Sequence, residues 1–193
     1  MPRYWYFFST LPGFAFSSPP PLSSQEFLDQ CECHLDAASY STVSLSSGAA
    51  FGQGKVTNEE SPFLAAYIAW ERSLRNELSR LRARRVQGNE DQYLRESEIS
   101  SEGIRIAQAA FAMEDPLQAE FFLEKERWSA IESLAALSDF QLDGIIAYGL
   151  RIRIAERVQA IQAEAGKEQY ALIYEEILGG KSNTTETAER REQ

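Results

Sequence analysis

The sequence is short of histidine, with His34 alone, and short of cysteine, with only Cys31 and Cys33. It also has no apolar run of about 18 residues, the length that reads as a membrane span. Each shortage excludes a class. Any histidine-based acid–base mechanism would have to use one residue at the edge of a Ser-rich stretch, so no catalytic triad can be assembled. Two cysteines this close together do not make a disulfide framework, and nothing else points to an oxidising compartment, so the expected location is the cytoplasm. Cations are scarce too: 19 Lys and Arg stand against 29 Asp and Glu, a net charge of −10. That balance argues against general nucleic-acid or anionic-membrane binding, because such surfaces repel a chain of this sign.

A closed zinc site needs four ligands, and Cys31, Cys33 and His34 have no further Cys or His to complete one. On a helix the two cysteines also point to different faces. The expectation is therefore Cys31 packed inward, His34 solvated, and neither metal nor cofactor. Gly48, Gly52 and Gly54 match no dinucleotide or phosphate-loop spacing. Asp139 and Asp143 could in principle share acid and base roles, but Asp139 is read more simply as a helix cap.

What the chain does have is ordinary for a folded protein: 193 residues, 44% hydrophobic and 25% charged. A single helical domain over 1–180 is expected, followed by a polar, disordered tail over 181–193. The stretch Met1 to Phe16 is aromatic, but Pro12 and Gly13 interrupt it, so it reads as mature sequence and not as an export signal. Within it Arg3 to Ser9 favours a short strand, and Phe14 and Phe16 are expected to lie against the body.

Capping signals organise the rest. Ser23 with Glu26 is a capping box opening a short helix to about His34. Residues 36–58, rich in Ser, Ala and Gly, read as a mobile loop. Ser61 and Pro62 start a long helix stopped near Gly88, with Phe63, Tyr67, Trp70, Leu74, Leu78 and Leu81 at spacings of three and four. A shorter helix covers Ser101 to Met113. Asp115 and Pro116 begin another, striped by Leu117, Phe121, Trp128, Ile131 and Leu134. A central helix carries Leu142, Ile146, Leu150, Ile154, Val158 and Ile161, widened by Ile145, Tyr148 and Ile152. Gly166 is expected in its C′ position, before a last helix from Lys167 to Leu178. The expected class is all-α, an irregular bundle of about five to six helices.

Arginines gather on the long helix, and their end complements the helix dipole. On an acidic chain this strip can also dock an acidic partner. The candidate contacts are Arg72, Arg75, Asn76, Arg80, Arg82 and Arg84.

Several stretches resemble an uncharacterised bacterial family encoded within V-type ATPase operons. YWYFFSTLPGFAF and LSSQEFLDQC resemble its aromatic opening and capped first helix. WERSLRNELSRLRARR is similar to its arginine-bearing helix, DPLQAEFFLEKERW to its Asp-Pro helix start with the Arg127 and Trp128 pair, and FQLDGIIAYGLRIRIAERV to its final core helix. The Ser-rich stretch from Ala37 to Gly54, and Val158 in place of an aromatic residue, depart from the pattern. The resemblance implies a non-catalytic structural or coupling subunit, or an assembly factor, of a rotary ATPase, a counterpart of the central-stalk C (d) subunit. Its partners would be central-stalk, proteolipid-ring or peripheral-stalk subunits, with the protein peripheral at the inner membrane face and not inserted. A free-standing helical scaffold or regulator of another cytoplasmic protein is the alternative, and a weak enzyme using Asp139, Asp143 or His34 ranks last.

Overall fold

Hydroxyl and carboxylate side chains begin most of the helices. In the computed structural model, residues 4–47, 61–89, 94, 100–136, 138, 141–163 and 166 are described. They form α1 (Tyr4–Thr10), α2 (Ser24–His34), α3 (Ala37–Ser47), α4 (Pro62–Arg85), α5 (Ser101–Phe111), α6 (Pro116–Ala135) and α7 (142–163), with no strand among them. The all-helical class is as expected.

Ser23 and Glu26 form the reciprocal capping box of α2. The Ser23 backbone amide and then its hydroxyl hold the Glu26 carboxyl below its usual range. Ser61 accepts from the Leu64 amide at 3.0 Å to open α4, Ser100 accepts from Gly103 at α5, and Asp115 accepts from Leu117 at 2.9 Å to open α6. Each bond satisfies a donor that the first helical turn leaves without an intrahelical partner.

Two expectations are corrected. The aromatic run from Arg3 to Ser9 favours a strand, but α1 is a helix over Tyr4–Thr10. Its aromatic residues divide between faces, with Phe7 buried and Trp5 and Tyr6 exposed, so packing overrides strand propensity. The start of the supposed loop 36–58 is also helical, as α3. Asp36 opens it, accepting from the Ser39 amide at 3.2 Å; the Ser39 hydroxyl and then its amide hold the Asp36 carboxyl low. Ser39, Val43 and Ser46 are the buried positions of α3. Residues 48–58 lie outside those described.

The long helix ends at Arg85, close to the stop expected near Gly88. The Gly88 amide reaches back to Ala83 O at 2.9 Å and the Gln87 amide to Arg84 O at 3.2 Å, the paired bonds of a Schellman stop. The left-handed position is taken by Gln87, at φ 54°.

The chain divides into two units, Met1–Val158 and Gln159–Gln193. In the second, only 159–163, the last turn of α7, and 166 are described. Gly166, expected as a C′ stop, is itself helical. The expected helix from Lys167 to Leu178 and the tail 181–193 lie outside the described residues.

Within the first unit α7 is the buried helix: Ile145, Ile146, Ile152 and Val158 are fully enclosed. It shares the larger core with Phe7, Phe27, Cys31, Val43, Leu64 and Trp128. The irregular segment after α1 lies on that core, as expected. Phe14 meets Trp128 and Tyr148 edge to face with centroids 5.4 Å apart, Phe16 meets Phe121 at 5.2 Å, and Tyr148 donates to Pro12 O at 2.9 Å. A smaller core joins α4, α5 and α6 through Leu74, Leu78, Ile106, Ala107, Ala110 and Leu123. There Gly103 lies so close to α4 that a Cβ would stand 3.2 Å from Ser73 Oγ. Leu134, assigned to the buried stripe of α6, is exposed. No helix among the described residues is long and apolar enough to cross a membrane.

Candidate functional site

The chemistry-bearing residues gather where α4, α6 and α7 meet. On α4, spacings of three and four from Tyr67 and Leu74 bring Glu71 to an inward position; on α6 the interval between Phe121 and Trp128 does the same for Glu124. Glu71, Glu124 and Arg127 are all buried. Arg127 Nε donates to both carboxylate oxygens of Glu71, at 3.3 and 3.1 Å, and its Nη1 donates to Glu124 Oε1 at 2.8 Å.

Each carboxylate has a second guanidinium on its outer side. Arg75 Nε donates to Glu71 Oε1 at 2.6 Å, and Arg157 Nη1 donates to Glu124 Oε1 at 2.7 Å. The result is an alternating chain, Arg75, Glu71, Arg127, Glu124, Arg157, dry in the middle and wet at both ends. The outer side chains keep 55% and 45% of their area exposed. Burial opposes the charge of Arg127, but Glu71 and then Glu124 more than offset it and hold its pKa above the usual value. Beside the cluster, burial first and the Glu71 charge second push the Tyr67 phenol up. Glu124 Oε2 is enclosed and receives no hydrogen bond from the described residues.

Two carboxylates of α7 do structural work. Asp143 accepts the Ser61 hydroxyl at 2.5 Å, while Ser61 caps α4. Glu156 accepts from the Ser24 amide at 2.7 Å and from the Ser24 hydroxyl. Negative charge therefore sits against the N-termini of α4 and α2, where the helix dipoles favour it. Asp139, the supposed acid–base partner of Asp143, lies outside the described residues.

The six arginine-strip candidates do not share one environment. Asn76 is buried, which removes it from a contact surface. Arg72 is half-buried. Arg75 is the outer end of the buried chain, and Arg80 is half-buried and bonded to Glu77. Arg82 and Arg84 are exposed, with Arg85 beside them. Arg82 is 66% exposed and 3.9 Å from Glu120, a separation and exposure at which an ion pair contributes little. Arg85 lies over the Phe111 ring, 5.5 Å from its centroid.

Cys31 is buried and Cys33 exposed. The exposed His34 ring stacks on Phe7 with centroids 4.8 Å apart, and its Nδ1 lies 2.9 Å from Gln30 O. Burial pushes the Cys31 thiol from its usual 9.0 up to about 12. Because the folded pKa is raised, the stabilisation from keeping this thiol neutral is complete below pH 9.0 and is lost as pH rises toward about 12. Iodoacetamide at pH 8 is therefore expected to modify Cys33 in the folded protein and Cys31 only after urea is added. Mass spectrometry of the labelled chain would detect two modified thiols without urea if Cys31 were accessible.

Neither the buried ion chain nor Arg153 and Arg157 featured among the candidates from sequence. A usable signal was present, since Glu124 falls on the apolar stripe of α6 and Glu71 between Tyr67 and Leu74. No family model matches the chain, and neither a curated protein nor a solved structure matches it.

Proposed function

We propose that the protein is a non-catalytic structural or coupling subunit, or an assembly factor, of a bacterial V-type ATPase, and that it grips neighbouring subunits through its helical faces. The observation that carries the docking part of this reading is the exposed basic end of α4, where Arg82, Arg84 and Arg85 stand in the last turns of the helix on a chain of net charge −10. Surfaces of one sign on a protein of the other steer and orient a complementary partner. A mechanical adaptor also needs helices that do not slide, and the buried chain from Arg75 to Arg157 ties α4, α6 and α7 at fixed register. The link to a rotary ATPase comes from the resemblance of the four helical segments.

A tagged copy expressed in its native host and purified in mild detergent is expected to bring down stalk or ring subunits. Reversing Arg82→Glu and Arg84→Glu together should weaken that recovery by about tenfold or more, as expected when rim charges oppose their partner. Thermal melting should barely change. Recovery of no ATPase subunit by the unaltered protein would sink the reading, and an equal fall in melting temperature would make the two arginines structural.

A further inference from the structure

We propose that the outer face of α1, formed by Trp5 and Tyr6, is an anchor that seats the protein on the surface of an electroneutral lipid bilayer. The inference is independent of a rotary ATPase and uses neither the arginine strip nor the buried ion chain.

The short helix divides its residues by face. Phe7 is buried, and Tyr4, Phe8 and Leu11 pack against the larger core, the inward set of a helix at spacings of three and four. Tyr4 is also tied to α3, its hydroxyl 2.7 Å from Ser39 Oγ. The opposite side is thereby held outward, and there Trp5 is 61% and Tyr6 55% exposed, their rings edge to face with centroids 6.0 Å apart. Among the described residues the other exposed large apolar side chains, Leu45, Val86 and Leu134, occur one at a time, on α3, at the end of α4 and on α6. Single residues of that kind are ordinary, whereas two neighbouring exposed aromatics on a fixed helix call for an occupant.

Charge, polar satisfaction and area together select the occupant. No residue from Tyr4 to Thr10 is charged, so this face gives a charged partner nothing to pair with, and a net charge of −10 on the chain opposes an anionic bilayer. The polar groups beside the rings are already bonded. Ser9 Oγ donates to Tyr6 O at 2.7 Å and Thr10 Oγ1 to Phe7 O at 2.7 Å, and the Leu11 amide donates to Phe8 O at 3.2 Å. Two carbonyls that the helix end would leave over are thus satisfied, which lowers the cost of withdrawing this face from water. The contact area is small: two rings at these exposures offer on the order of 250 Å², against about 800 Å² per partner in a stable protein–protein interface. A bilayer surface needs no matched shape. An indole or phenol at the headgroup boundary puts its apolar body among the acyl chains and its N–H or O–H in the wet layer. Such binding scales with buried apolar area, so two rings give weak, reversible attachment.

The test titrates the full chain with vesicles of pure phosphatidylcholine, reading co-flotation and tryptophan emission. The protein is expected to co-float, with its emission moving to the blue. In Trp5→Phe part of the binding persists but the shift disappears, because Trp70 and Trp128 pack within the helical body and keep their surroundings. Trp5→Ser with Tyr6→Ser should lower the partition coefficient by about tenfold or more. Its melt should match the wild type, since both side chains already lie in water. Val86→Ser, at the most exposed large apolar side chain among the described residues, should bind like the wild type. Replacing half of the lipid with phosphatidylglycerol should weaken binding. The proposal is overturned if the protein does not co-float, if the double variant floats as well as the wild type, or if Val86→Ser loses as much. Stronger binding to the anionic lipid would assign attachment to the arginines and also overturn it. Sedimentation without lipid is the remaining arm: a dimer that the double variant abolishes would make this face a contact between copies, and the bilayer proposal fails.

Discussion

Replacing Arg127→Met is expected to cost roughly 3–5 kcal/mol of folding stability, the range seen when one partner of a buried ion pair is removed. The side chain of Arg127 bridges Glu71 and Glu124, both enclosed in protein. Methionine fills much of the same space but leaves two carboxylates buried with only their outer guanidiniums, which water screens. Against a typical total of about 5–15 kcal/mol, such a loss brings the chain near unfolding. The same argument predicts that the penalty is one of imbalance. Replacing Glu71, Glu124 and Arg127 together with apolar residues of similar volume should recover much of the loss, because the desolvation of all three charges is then removed as well. Urea midpoints for the single and triple variants measure this. A single variant within about 1 kcal/mol of wild type would mean that the three charges are effectively in water, as an exposed pair would be.

How far the sequence reveals this structure depends on how cleanly each segment separates apolar from polar positions. The helices α2, α4, α5 and α6 begin where Ser23, Ser61, Ser100 and Asp115 cap them, since capping is local chemistry written in adjacent residues. By contrast α3 is hidden because two of its three buried positions are serines, Ser39 and Ser46. A period marked by hydroxyls does not stand out from a Ser-rich background, although Asp36 with Ser39 carried a capping signal. In α1 the aromatic residues suit a strand, and only tertiary contact decides for a helix that buries Phe7. The ion chain was missed for a related reason. Charged residues ordinarily lie in water, so Glu71 and Glu124 do not stand out at positions where spacing alone calls for core residues.

The docking strip illustrates the opposite limit. Helical spacing places Arg72, Arg75 and Arg82 on related faces, but the sequence does not say which of the arginines find acids on other helices. That pairing is a property of α4, α6 and α7 packed together: Arg75 becomes the end of a buried network while Arg82 stays in solvent. The same packing brings Arg157 to Glu124 of α6 and Arg153 to Ser46 of α3, pairings of which their positions on α7 gave no hint.

Trp128→Ala should be nearly as damaging, at roughly 3–5 kcal/mol, and for a different cause. The indole is 5% exposed, touched edge to face by Phe14 and Phe16, overlain by the Arg151 guanidinium at 5.7 Å, and anchored by its Nε1 donating to Glu132 at 2.7 Å. Truncation removes the surface on which the irregular segment after α1 rests, so both the cavity term and the seating of Phe14 and Phe16 contribute. Trp128→Phe separates the contributions: it keeps an aromatic face for the two phenylalanines but loses the bond to Glu132 and part of the volume, and should cost about 1–2 kcal/mol. Limited proteolysis adds a local readout, because cleavage between Thr10 and Leu22 should accelerate in the alanine variant before global melting sets in. A thermal melt of Trp128→Ala that matches the wild type would show that this ring does not hold α6, α7 and the N-terminal segment together.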